Sequence, residues 1–139
     1  MRTEILFTPI LAAAVLCSAL SAQTAASVWD GVYTDAQTDR GKTLYKTECA
    51  SCHTETLEGS GQIPPLAGPD FLKNWDGQTL ADLFEKIQMT MPADAPGRLN
   101  HEQNADVLAF LLQFNKFPAG SSELKGDADS LRKIRFNYP

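Results

Sequence analysis

Two stretches in the second half of the chain carry apolar residues at the spacing of an α-helix. Their apolar positions are Leu80, Leu83, Phe84 and Ile87 in the first stretch, and Val107, Phe110, Leu111 and Phe114 in the second. Each stretch follows a pair of polar residues spaced to cap a helix: Thr79 with Asp82, and Asn100 with Gln103. Pro92 ends the first helix, because proline disfavours helical backbone in the residue before it. Pro118 and Gly120 stop the second, so the pattern predicts two amphipathic helices.

Another helix is predicted earlier in the chain. Thr34 with Gln37 has the spacing of a capping box, and the helix is expected to run into the segment that starts at Cys49. Gly41 and Tyr45 lie at the centre of the face that this helix would bury. A glycine inside a helix costs about 1 kcal/mol relative to alanine. We therefore expect another segment to approach the backbone closely at Gly41.

Residues 54–78 connect the first two helices and have no periodic apolar positions of their own. The segment is rich in glycine and proline. A loop of this length is uncommon in a compact domain unless it has a function. The chain shows no internal repeat and no convincing strand pattern, so the sequence predicts an all-α fold with three main helices and long loops.

The segment Cys49-Ala50-Ser51-Cys52-His53 has the C-x-x-C-H spacing of a covalent c-type haem attachment site. Positions three and four apart lie side by side on a helical turn. The two thiols can then reach two vinyl groups on one edge of a porphyrin, with the histidine under the iron. Redox-active pairs and half zinc sites also use C-x-x-C. The histidine that follows directly, and the lack of a second cysteine pair, favour one covalent haem c.

The first 22 residues have the pattern of a secretory signal peptide. Arg2 is positively charged, residues 10–16 are an unbroken apolar run, and small residues precede Gln23. The run is too short to span a bilayer as a helix, so we expect no retained membrane anchor. A lipid anchor at Cys17 competes with this interpretation, but Leu16 stands where such signals have a small residue. Export predicts a periplasmic protein.

Length and charge limit the remaining possibilities. The 139 residues suit one small domain, which we place at residues 23–120, followed by a C-terminal extension at 121–139. A formal net charge of −5 argues against a nucleic-acid partner. A large buried apolar cofactor would stabilise so small a core. The sequence contains no catalytic triad, no distinctive pair of carboxylates and no phosphate-binding loop, so we predict no enzyme activity.

The extension is polar at first and then apolar and basic. Its apolar residues are Leu131, Ile134, Phe136 and Tyr138, and its basic ones include Arg132, Lys133 and Arg135. Chain termini are usually poorly ordered unless something holds them. We therefore expect this segment to pack on the haem domain or to dock onto a partner protein, and not to contact the iron.

The haem motif, the three capped helices and a Met-Pro loop together resemble the class I cytochrome c family over about residues 34–115. The most specific parts are the C-A-S-C-H, P-P-L-A-G and T-M-P segments. The resemblance implies the class I cytochrome c fold, wrapped around one covalently bound haem. It also implies that the first and last main helices cross where the glycine and the aromatic residues match, at Gly41, Tyr45, Val107 and Phe110.

The resemblance also implies roles for residues around the haem. The carbonyl of Pro64 would accept a hydrogen bond from the haem histidine, His53, and would fix its ring. Leu66 and Gly68 match the leucine and glycine that follow in the family. Trp75 resembles the tryptophan that donates to a haem propionate.

Two methionines compete for the sixth position on the iron. Met91 lies 38 positions after His53 and precedes Pro92, as the family's axial methionine does. Met89 is two residues earlier, and we interpret it as a core residue, the usual role of a methionine at helical spacing. His101 is interpreted as a surface residue. The predicted metal ligands are His53 and Met91.

Ligation by histidine and methionine leaves no open position on the iron and raises its reduction potential. We therefore expect a periplasmic one-electron carrier that accepts electrons from a dehydrogenase and passes them to a terminal oxidase or another cytochrome. The segment V-W-D-G-V-Y-T resembles small cytochromes associated with quinoprotein dehydrogenases. Two alternatives stay open: a tethered cytochrome subunit of a dehydrogenase complex, and a haem sensor or enzyme with an open sixth site.

Overall fold

The computed structural model describes residues 26–138 and is mostly helical. Its helices are α1 (Asp35–Glu48), α2 (Ala50–His53), α3 (Pro69–Trp75), α4 (Leu80–Thr90), α5 (His101–Phe114) and α6 (Ala128–Leu131). Two short strands, β1 (Ala26–Ser27) and β2 (Ile134–Arg135), pair in parallel. The three predicted helices correspond to α1, α4 and α5. The predicted signal peptide lies outside the described residues.

Two elements differ from the sequence prediction. Helix α3 interrupts the connection that was expected to lack structure, and it buries Phe71 and Leu72. Seven residues are too few to show a helical repeat, although Pro69 at its first turn is a favoured start. The strand pair was also missed, because two residues a strand give no alternation to detect. None of the helices in residues 26–138 is long and apolar enough to cross a membrane.

Helices α1 and α5 approach each other closely at Gly41. A Cβ atom at this position would lie 1.8 Å from the carbonyl oxygen of Asp106 and 3.1 Å from Cβ of Phe110. The ring centroids of Tyr45 and Phe110 lie 5.2 Å apart beside this point. Arg40 also binds Asp106 through two nitrogens, at 3.0 and 2.9 Å. The predicted crossing is therefore confirmed, and the glycine is explained by backbone contact.

The capping pairs of α4 and α5 form as predicted, but that of α1 forms only in part. Thr79 with Asp82 and Asn100 with Gln103 are reciprocal capping boxes. At α1, Thr34 Oγ1 accepts from the backbone N–H of Gln37 at 3.2 Å. The Gln37 side chain does not return to Thr34. It bonds both the N–H and the carbonyl of Leu124, each at 2.9 Å, and so fastens the C-terminal segment to α1.

The C-terminal segment packs into the core. Leu124, Leu131 and Phe136 are almost fully buried in the same cluster as residues of α4 and α5. β2 extends this attachment by pairing with β1. Arg132 of this segment forms an ion pair with Glu85 on α4 at 2.9 Å. We expected this segment either to pack on the haem domain or to dock onto a partner protein. In the structure it packs on the domain.

Replacing Gly41 with alanine tests the helix crossing. The added methyl group would meet a backbone carbonyl, so the helices must separate, and overpacking of this kind costs about 1–3 kcal/mol or more. This exceeds the gain of about 1 kcal/mol in helix propensity. We expect a lower free energy of unfolding for the haem-loaded protein, measured by urea denaturation followed by circular dichroism. The exposed neighbour Lys42→Ala is the control, and an unchanged Gly41→Ala protein would contradict the crossing.

The packing of the C-terminal segment predicts a large effect of Phe136→Ala. Phe136 is fully buried, and removing such a side chain costs about 3–5 kcal/mol. Tyr138→Ala, two residues later at a position that is 38% exposed, should change the free energy of unfolding by about 1 kcal/mol at most. Urea denaturation measures both. Equal effects would mean that the segment does not pack as described.

Candidate haem site

The predicted site residues line one cavity of about 810 Å³. They are Cys49, Cys52, His53, Pro64, Leu66, Trp75 and Met91. The volume lies in the range of about 300–1,000 Å³ that is typical of small-molecule and cofactor sites. Apolar side chains from α3, α4 and α5 complete the wall: Phe71, Leu83, Ile87, Val107 and Leu111. Residues far apart in the sequence thus meet around one mainly apolar space.

Helix α2 brings the two cysteines and the histidine together in one turn. The backbone N–H groups of Cys52 and His53 donate to the carbonyl of Cys49 at 3.2 and 2.9 Å. Thr54 ends the turn with a positive φ of 65°. Cys49 is half-buried, Cys52 is exposed, and His53 is 7% exposed. The two thiols therefore lie at the edge of the cavity, whereas the imidazole is buried and forms part of the cavity wall.

The orientation of His53 is fixed by a backbone carbonyl. Its Nδ1 lies 3.0 Å from the carbonyl oxygen of Pro64. A carbonyl can only accept, so Nδ1 carries the proton and Nε2 keeps its lone pair. This is the arrangement of a metal-binding histidine, whose second nitrogen donates to a neighbouring group.

Asn115, directly after α5, holds the loop that contains Pro64. Its Oδ1 accepts from the N–H of Gly68, and its Nδ2 donates to the carbonyl of Leu66, both at 3.0 Å. The N–H of Leu66 in turn donates to the carbonyl of the fully buried Leu57 at 2.8 Å. Sequence reasoning missed Asn115, because an asparagine after a helix is ordinarily a cap. Only the fold places it beside the loop.

Met91 is the C-cap of α4. Its N–H donates to the carbonyl of Ile87 at 2.8 Å, and its side chain lines the cavity. Met89 does not line the cavity and is 67% exposed, so its interpretation as a core residue is wrong. The cause is the helix register, which turns Met89 away from the core. His101 is exposed, as expected, and its ring lies edge-on to Phe84.

The electrostatics of Cys49 differ from those of a redox pair. Burial, followed by the nearby Glu48 and Cys52, raises the pKa of the Cys49 thiol to about 11. Redox-active C-x-x-C pairs depend on a lowered thiol pKa. Burial likewise raises the pKa of Tyr45, whose hydroxyl donates to the carbonyl of Thr54 at 2.7 Å. Cys49 therefore lacks the lowered thiol pKa on which a thioredoxin-like pair depends.

The side chains present fit haem c. Within residues 26–138 there is no group of three or more His, Cys, Asp or Glu side chains that could hold a bare metal ion. The cavity instead offers one imidazole nitrogen and the thioether of Met91, so an iron bound here needs further ligands such as those of a porphyrin. Two thiols at the rim supply the attachment points, and the apolar wall suits a flat macrocycle.

Comparisons with known proteins agree with this chemistry. The family model described as cytochrome c oxidase, cbb3-type, subunit III, matches residues 36–111. Cytochrome c-554(547) of Halothiobacillus neapolitanus is 57% identical over 28 residues, which are 20% of this chain and 31% of that protein. This chain thus matches only about a third of that relative.

A solved structure has a similar fold. It is the crystal structure of the sulfane dehydrogenase SoxCD from Paracoccus pantotrophus, with a TM-score of 0.51 and 20% sequence identity. The match covers 77% of this chain and 61% of that chain. At this identity, the likeness concerns the fold alone.

Replacing both Cys49 and Cys52 with serine tests the attachment. We expect no haem to stay bound after denaturing electrophoresis, and a large loss of helical circular dichroism, because the cofactor fills the cavity of a small core. Ser51→Ala changes the exposed residue between them and should leave both properties intact. A folded double variant with native helix content would contradict the expected contribution of the cofactor.

Proposed function

Because this chain belongs to the cytochrome c family described as cytochrome c oxidase, cbb3-type, subunit III, we propose that it is a periplasmic one-electron carrier. The family implies covalently bound haem c. Bound haem c supplies one-electron chemistry, the change of its iron between the ferric and ferrous states. The observation that carries the proposal is the arrangement of His53 and Met91 around one cavity, with the tautomer of His53 set by Pro64.

In this proposal Cys49 and Cys52 would attach the haem through thioether bonds, and His53 and Met91 would bind its iron. A proton on Nδ1 of His53 leaves Nε2 free to bind a metal. Ligation by a methionine thioether and a histidine would raise the reduction potential and would leave the iron no open position for a substrate. Trp75, at the cavity wall, would donate its indole N–H to a haem propionate. These roles favour a carrier over an enzyme.

The surroundings of His53 suit repeated electron transfer. The imidazole is held by the Pro64 carbonyl, and the turn after it is held by the hydroxyl of Tyr45 on the carbonyl of Thr54. Polar groups that are already held in place move little when the charge on the iron changes. The protein therefore supplies a rigid, mainly apolar frame in which the oxidation state can change without loss of packing.

We propose a dehydrogenase as the electron donor and a terminal oxidase or another cytochrome as the acceptor. The description of the matched family as an oxidase subunit supports an oxidase as the partner on the acceptor side. The resemblance of the segment V-W-D-G-V-Y-T to cytochromes of quinoprotein dehydrogenases supports a dehydrogenase as the donor. A tethered subunit of such a complex is the alternative. Copurification with a dehydrogenase at moderate salt would distinguish it from a free carrier.

The other alternative, a sensor or enzyme with an open sixth site, makes a different spectroscopic prediction. A carrier with both axial positions occupied is low-spin and does not react with added carbon monoxide. A protein with an open position is high-spin and binds it. Optical spectra of the ferrous protein with and without carbon monoxide therefore separate the two functions.

Comparing Met91→Ala with Met89→Ala tests the axial ligand. Met91→Ala should open the sixth position and lower the midpoint potential by about 0.1 V or more, within the range of about 0.8 V that axial ligands span. Met89→Ala is the matched control, since the side chain is exposed, and should keep the wild-type spectrum and potential. Redox titration followed by absorbance measures both variants. If Met89→Ala alone changes the spectrum, the assignment of Met91 is wrong.

A further inference from the structure

The segment between α4 and α5 carries the proposed methionine ligand and is anchored firmly only at its two ends. We name residues 91–100 the Met91 loop. At its start, the N–H of Met91 bonds the carbonyl of Ile87, and at its end Asn100 caps α5. Pro92 and Leu99 are buried near these ends. The residues between them are the part that could move away from the cavity.

The middle of the Met91 loop has one polar link to the rest of the described chain. Its backbone bonds are internal, from the N–H of Ala95 to Pro92 at 2.9 Å and from the N–H of Arg98 to Ala95 at 3.2 Å. Within residues 26–138, the polar contact between residues 92–98 and the rest of the chain is an ion pair. It joins Nη2 of Arg98 to Oε2 of Glu48 at 2.6 Å.

This ion pair connects the two halves of the site. Glu48 is the last residue of α1 and directly precedes Cys49, whereas Arg98 lies in the loop that starts with Met91. Both side chains line the haem cavity. The side chain of Glu48 is only 23% exposed, and that of Arg98 is 45% exposed. Asp94 offers Arg98 a second carboxylate at 3.6 Å, but it is 75% exposed and belongs to the same loop.

We propose that the Glu48–Arg98 ion pair is a positioning element that keeps the Met91 loop closed over the cavity. The inference rests on the proposed role of Met91 as axial ligand. Moving the loop outward separates the two charges, whereas the Arg98–Asp94 pair can move with the loop. Loss of Glu48 should therefore raise the population of the open loop, in which the methionine has left the iron. Loss of Asp94 should not.

Imidazole is the probe for loop opening, because it can bind the ferric iron only after the thioether of Met91 has left. The apparent affinity of such a ligand rises with the fraction of the protein in the open state. In the ferric haem-loaded protein we expect Glu48→Gln to bind imidazole about two- to fivefold more tightly than the wild type, the range for a partly exposed ion pair. Absorbance titration measures this affinity, and the difference should shrink at high salt.

Three variants make the result specific. Asp94→Asn removes the other carboxylate beside Arg98 and should bind imidazole like the wild type. Glu85→Gln removes the partner of Arg132 in a comparable exposed pair away from the cavity and should also be unchanged. The exchanged pair Glu48→Arg with Arg98→Glu should recover most of the wild-type affinity, which a purely local effect of either substitution would not do.

The outcomes separate the inference from the proposed function. If Met91→Ala leaves the spectrum and the imidazole affinity unchanged, Met91 is not the ligand and the proposed function fails. If Met91→Ala changes both but Glu48→Gln matches Asp94→Asn, the positioning role alone is overturned. Arg98→Gln breaks the same ion pair and replaces Glu48→Gln if that variant does not fold. If Arg98→Gln binds imidazole with the wild-type affinity, the positioning role is likewise overturned.

Discussion

The close approach of α1 and α5 at Gly41 is the constraint from which the site is built. Because no side chain separates the two backbones there, Tyr45 and Phe110 pack side by side just beyond the contact. Tyr45 then reaches the carbonyl of Thr54 and so holds the turn that contains His53. A wider separation of the helices would displace the tyrosine and, with it, the histidine.

The far end of α5 holds the other side of the same histidine. Asn115 bonds the loop at Leu66 and Gly68, and this loop presents the Pro64 carbonyl to Nδ1 of His53. α5 thus contributes to both sides: Phe110 packs against Tyr45, which holds the turn with His53, and Asn115, directly after the helix, holds the loop with Pro64. The loop is rich in glycine and proline, but these bonds from Asn115 still hold the Pro64 carbonyl in a fixed position.

The sequence predicted the features that local patterns encode. The three long helices follow from spacing and capping residues, and the C-x-x-C-H turn follows from one contiguous motif. Gln37 shows where local reasoning ends, because the same side chain that could close a capping box instead bonds Leu124, 87 positions away. Asn115 and Glu48 were missed for the same reason. Each has an ordinary local role, and only the tertiary fold gives it a partner at the site.

The two sides of the cavity are held by different kinds of interaction. On the side of His53, neutral hydrogen bonds to buried or half-buried backbone fix the ring, and such bonds are insensitive to salt. On the side of Met91, the loop depends on its buried ends and on an ion pair between partly exposed side chains, which ionic strength screens. If His53 and Met91 ligate the iron as proposed, the hold on His53 is independent of salt, whereas the hold on Met91 depends in part on a few surface charges.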